Sequence, residues 1–153
     1  MDQKSAGVLT DQAESDWETA HISAPSRPGA AAILRHQVME FLKSSPFSSE
    51  ELADVELAVG EASSNALKYG SPKGELDEVT VKCMKNEHTL IVEISDNGGG
   101  FDPEAVSPLT PDGLAEGGMG IFLMRALMDT VEFEFRSGTT VRLTKRRRRG
   151  QTD

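Results

Sequence analysis

Residues 59–70, VGEASSNALKYG, have the spacing of an amphipathic helix with an anomaly on one side. Val59, Ala62, Ala66 and Tyr69 step by three and four, the period of a helix that buries one stripe, and they continue a series begun by Leu52 and Val55. Glu61 and Asn65 stand one turn apart, about 100° off that stripe, with Lys68 continuing their face. A carboxylate and a carboxamide at this spacing are compatible with a solvated helix edge. The alternative is a general base beside an amide oxygen suited to magnesium, which takes hard oxygen donors completed by water and phosphate. The helix by itself leaves both readings open.

Upstream, Ser48 and Glu51 have capping-box spacing and Phe47 with Leu52 that of a hydrophobic staple, so the helix is expected over 49–69, with Gly70 closing it in a left-handed conformation. An earlier helix is expected from Ser26 as N-cap and Pro28 in the first turn, carrying Ala30, Leu34, Val38, Phe41 and Leu42. Before it, WETAHIS (17–23) alternates as an edge strand. Downstream, Val79, Val81 and Cys83, then Leu90, Val92 and Ile94, alternate on either side of an Asn86-Glu87-His88 turn and read as an antiparallel hairpin. Residues 97–118 form a long Gly- and Pro-rich segment, of a length that in a compact domain is functional or mobile. Helical periodicity resumes at Met119, Phe122, Leu123, Ala126 and Leu127, and TVEFEFR and TTVRLTK, split by Ser137-Gly138, read as a second hairpin. The order β, α, α, β, β, loop, α, β, β implies an α+β fold: a two-layer sandwich in which helices cover one face of a mainly antiparallel, mixed β-sheet.

The 153 residues suffice for one domain with its own core. We place that domain at 16–145, between a disordered N-terminal segment, 1–15, and a basic C-terminal tail, 146–153. No apolar run approaches the roughly 18 residues a membrane span requires, and the first residues have no signal-like segment, so a cytoplasmic location is expected. The single cysteine, Cys83, reads as a small apolar strand residue. Net charge is −9, but five cations run consecutively over 145–149 and, with Asp153 beyond them, leave residues 1–144 at −13. Such an acidic body argues against direct nucleic-acid binding, and the KRRRR run reads as a solvated, frayed tail.

Two further segments carry chemistry. Asp96-Asn-Gly-Gly-Gly-Phe101 follows a strand, and three glycines exceed what a tight turn needs; they let backbone approach a ligand closely, while Asp96 is placed to accept a hydrogen bond from an exocyclic amine. Gly117-Gly-Met-Gly120 opens a helix whose first N–H groups and positive dipole end suit phosphate.

Taken in order, E-x-x-x-N on a helix, D-x-G-x-G after a strand and G-x-G at a helix start resemble the N, G1 and G2 boxes of the GHKL (Bergerat-fold) ATPase superfamily. Within it, ELAVGEASSNALKYG, DNGGGFDP, GGMGIFLMRALMD and the terminal GTTVRL resemble the anti-sigma-factor serine/threonine-protein kinases of bacterial partner-switching systems, over about residues 17–145. Histidine kinases fit less well: His36 lacks the acidic neighbour and later proline of a phosphoacceptor, and His21, His36 and His88 read as structural or exposed. The resemblance implies ATP and Mg2+ as cofactors, Glu61 as the catalytic base toward a serine hydroxyl and Asn65 as the metal ligand. It implies Asp96 on the adenine amino group, Gly98 and Gly100 making room for the base, Thr140 supporting adenine through water, and Gly118 and Gly120 at the phosphates, under a lid over 103–117. It also implies a sigma factor and a STAS-domain anti-anti-sigma protein as competing partners, and a homodimer. One departure bears on activity: Ala115-Glu116-Gly117 stands where some relatives carry a lid arginine. Lys68, Lys73 and Arg125 are the cations that would compensate, and the alternative is a non-catalytic nucleotide-binding regulator of the same fold.

Overall fold

A computed structural model describes residues 16–70, 73–97, 118–135 and 138–148. Along the chain they form β1 (Glu18–Pro25), α1 (Ala30–Leu42), α2 (Ser49–Tyr69), a 3₁₀ turn (Gly74–Leu76), β2 (Glu78–Lys85), β3 (Thr89–Ser95), α3 (Gly118–Leu127), β4 (Thr130–Phe135) and β5 (Thr139–Arg146). The strands make one sheet in the order β1-β2-β3-β5-β4, and every pairing is antiparallel. The sheet is thus not mixed among the described residues; it is antiparallel throughout.

Register sorts side chains by face. Ile22, Val81, Ile94, Val141 and Phe133 align across all five strands, and with Leu34 and Val38 of α1, Val55, Val59 and Ala62 of α2, and Ile121 and Met124 of α3 they belong to one apolar core. The adjacent row, Ser23, Thr80, Ser95, Thr140 and Glu134, points to the opposite, polar face. Cys83 is fully buried in the core, where burial pushes its thiol up to about 12, as befits an inert packing residue.

The capping box on α2 forms as expected. The Glu51 amide donates to Ser48 Oγ and the Ser48 amide to Glu51 Oε1, each at 3.0 Å, and Phe47 and Leu52 pack against the core beside it. The start of α1 differs from expectation. Its N-cap is Gly29, left-handed at φ 89°, and Ser26 is buried with its amide bonded to the Asp77 carbonyl. The chain turns sharply after β1, and only a residue tolerant of positive φ fits the turn. Gly70 also departs from expectation: at φ −111° it is not left-handed, and its glycine identity has another cause, taken up below.

The basic run is not a frayed tail over its described part. Lys145 is buried in β5, Arg146 pairs with Thr89, Arg147 donates to the His88 carbonyl and the Arg148 amide donates to Glu51 Oε2 at 2.9 Å. The ladder to β3 and the caps of α2 recruit these residues, so the ordered domain extends past 145. His21, His36 and His88 are all exposed. Residues 1–15 and the end of the chain from 149 lie outside the described residues, as does the expected lid.

Candidate functional site

Asp96 directly follows β3 on the core-facing side of the sheet. Its amide donates to the Thr139 carbonyl at 2.9 Å and the Thr139 amide returns a 3.3 Å bond to Asp96 Oδ1, so the carboxylate is held by the β3–β5 ladder. Gly70 backs it from the end of α2: a Cβ there would lie 2.1 Å from Asp96 Cγ. Glycine is required at position 70 for room, not for conformation.

Glu61 and Asn65 lie on the side of α2 that faces α3. At Gly120, in the first turn of α3, a Cβ would sit 2.9 Å from Glu61 Oε1 and 3.4 Å from Asn65 Nδ2, so these two side chains of α2 lie directly against the backbone of α3. This brings a carboxylate and a carboxamide beside the N–H groups and positive dipole end of α3, which opens at Gly118. Three of the sequence signals therefore converge, since Asn65 and Asp96 line a common cavity with Thr139, between walls of Ile94, Val141, Met124 and Phe133. Its volume, about 10 Å³, is that of a single water.

Two buried polar atoms here have no hydrogen-bond partner among the described residues: Asn65 Nδ2 and Thr139 Oγ1. Buried polar groups in folded proteins are overwhelmingly paired, so orphans sharing one cavity point to a ligand or a water that completes them. The lining, apolar walls beside a carboxylate, has the chemistry for a purine carrying an exocyclic amine, which requires the cavity to widen from its single-water volume. A half-turn of the Asn65 amide exchanges its oxygen and nitrogen, so it can present a hard oxygen to a cation that phosphate and water complete. The residues present thus fit Mg2+·ATP.

One expected residue sits elsewhere. Thr140 lies on the polar face of the sheet, its Oγ1 2.8 Å from Ser95 Oγ, away from Asp96. Thr139 takes the place by the carboxylate. The signal was available in the alternation of Thr139-Thr140-Val141-Arg142-Leu143, in which the first threonine shares its face with Val141 and Leu143. Gly98 and Gly100 fall outside the described residues. On the other side of Glu61, a groove of about 440 Å³ runs between α1 and α2 past Arg35, Leu57, Gly60 and Ser64.

Residues 24–145 match the family model of the histidine kinase-like ATPase domain. Among curated relatives, the serine-protein kinase RsbW of Bacillus pumilus is 37% identical over 139 residues, covering 84% of this chain and 86% of the relative. The RsbW of Listeria monocytogenes is 35% identical over 133 residues, covering 81% and 84%. Among solved structures, the RsbU and RsbW domains of a Mycobacterium tuberculosis protein superpose with a TM-score of 0.59 at 20% identity, matching 84% of this chain to 32% of that longer one. The SiaB-SiaC complex of Pseudomonas aeruginosa gives a TM-score of 0.59 at 17% identity, covering 81% and 87%. At these identities the structural likenesses bear on fold alone.

Proposed function

The chain belongs to the family of histidine kinase-like ATPase domains, and from that premise we propose that it is a cytoplasmic, ATP- and Mg2+-dependent serine-protein kinase of a bacterial partner switch. In this reading it phosphorylates a STAS-domain anti-anti-sigma protein and, when that partner is phosphorylated, holds a sigma factor. The observation that carries the reading is that Asn65, which meets Gly120 of α3 together with Glu61, shares one cavity with Asp96 and Thr139.

Bound Mg2+·ATP supplies an activated phosphoryl group. The chain's own residues do the rest. Asp96 accepts a hydrogen bond from the base, and Thr139 Oγ1 extends that contact through a water. Asn65 offers its amide oxygen to the metal, while Gly118 and Gly120 leave the N–H groups of α3 open to phosphate. Glu61 takes the proton from a serine hydroxyl that reaches it along the α1–α2 groove. Phosphoserine carries about −1.5 to −2 charges, and a surface acidic over most of its length repels it, which releases the modified partner.

The test is incubation with labelled ATP and a cognate STAS protein. We expect serine labelling by the wild type and at least a hundredfold less by Glu61→Ala, within the span a general base supplies. Equal, negligible labelling by both, with ATP still bound, would instead assign the fold to a non-catalytic regulator.

A further inference from the structure

The basic run begins inside β5 with a buried lysine. Lys145 carries an almost fully buried ammonium, which costs heavily unless its donors are met. Its Nζ donates to the Leu127 carbonyl at 2.6 Å and lies 3.3 Å from Asp54 Oδ2. Leu127 is the last residue of α3, where carbonyls lack helical partners and a cation is favoured by the dipole, and Asp54 belongs to α2. Lys145 therefore ties α3 to α2.

The spacing gives that tie its meaning. Asp54 precedes Glu61 by seven residues and Leu127 follows Gly120 by seven, so the helices run antiparallel, packed on one another through the core, with two polar points about 10 Å apart. One is the close approach of Gly120 to Glu61 and Asn65; the other is the Lys145 ammonium. The apolar packing and the glycine contact between these helices are non-directional, whereas the bonds at the far end are directional and fix how far one helix sits along the other. The Asp129 amide bonds the Thr144 carbonyl at 2.8 Å, which fastens the end of α3 to β5; Lys145 adds the fastening to α2.

We propose that Lys145 is a positioning residue for nucleotide binding: its ammonium fixes α3 along α2 and so holds the phosphate-facing first turn of α3 in place beside Asn65. The proposal rests on the nucleotide reading of the site. Its test is calorimetric titration of the full chain with Mg2+·ATP, at a temperature where thermal melts show every variant folded. Lys145→Met, which keeps the stem and removes the donors, is expected to weaken binding about tenfold, since misplacements near 1 Å cost that much or more. Lys145→Arg restores it to within about threefold of wild type, and Asp54→Asn, which leaves the Leu127 bond, gives an intermediate loss and serves if Lys145→Met does not fold. A lowered melting temperature with Kd within twofold of wild type in Lys145→Met, or in Asp54→Asn where only that variant folds, overturns the proposal and leaves Lys145 a purely structural cation. No binding by the wild type overturns the site reading itself.

Discussion

Among single residues, the positions of those proposed to do chemistry were readable from local spacing. Glu61 and Asn65 are an i, i+4 pair, and Asp96 closes a strand; each position follows from one element's own period. Residues whose identity is set by a neighbour distant in sequence were harder to assign. Gly70 looks like a helix terminator until the Asp96 carboxyl is found where its side chain would be. Thr139 and Thr140 differ only in parity, and the wrong one is chosen when a motif is matched without tracing which face it serves. The structure turns that difference into a contrast. Thr139→Val should weaken ATP binding by about tenfold, on the order of 1–3 kcal/mol for an unmet buried polar group, while Thr140→Val, which disturbs only the Ser95 hydroxyl pair, should stay within about twofold. Equilibrium titration with ATP distinguishes them.

At the scale of the element, α2 is the best-specified part of the chain because its start, stripe and first-turn acids agree. Its cap also receives the chain after β5, through the Arg148 amide. Burial alone would disfavour ionised Glu51, but hydrogen bonds from the Ser48 and Arg148 amides outweigh it and hold its carboxyl below the ordinary range. A depressed folded-state value means the stabilisation is complete above the unfolded-state value and fades as pH falls through the folded one. Wild type should therefore lose stability more steeply than Glu51→Gln on acidification below the ordinary carboxylate range, as measured by urea unfolding across pH. Where elements depend on partners, the sequence said less. Nothing local to Lys145–Arg148 announces that β3 and α2 will order them, and the turn into α1 is set by how β1 leaves the sheet.

Across the whole molecule, two hairpins, a helical layer and a mainly antiparallel sheet were legible, because period and turn chemistry are local, though the sheet has no parallel pairing among the described residues. The order β1-β2-β3-β5-β4 was not, since it depends on which strand of the second hairpin meets β3 after the chain has crossed α3. That choice makes the site: β5 beside β3 sets Thr139 against Asp96, and α3 packed on α2 sets Gly120 against Glu61 and Asn65. For ATP to bind as proposed, these groups must form a single nucleotide pocket. Its most direct test is calorimetric titration of Mg2+·ATP into wild type and Asp96→Asn: one site per chain in the wild type, weakened at least tenfold in the variant, is the predicted result. Absence of heat in the wild type, or equal dissociation constants for the two, would contradict it.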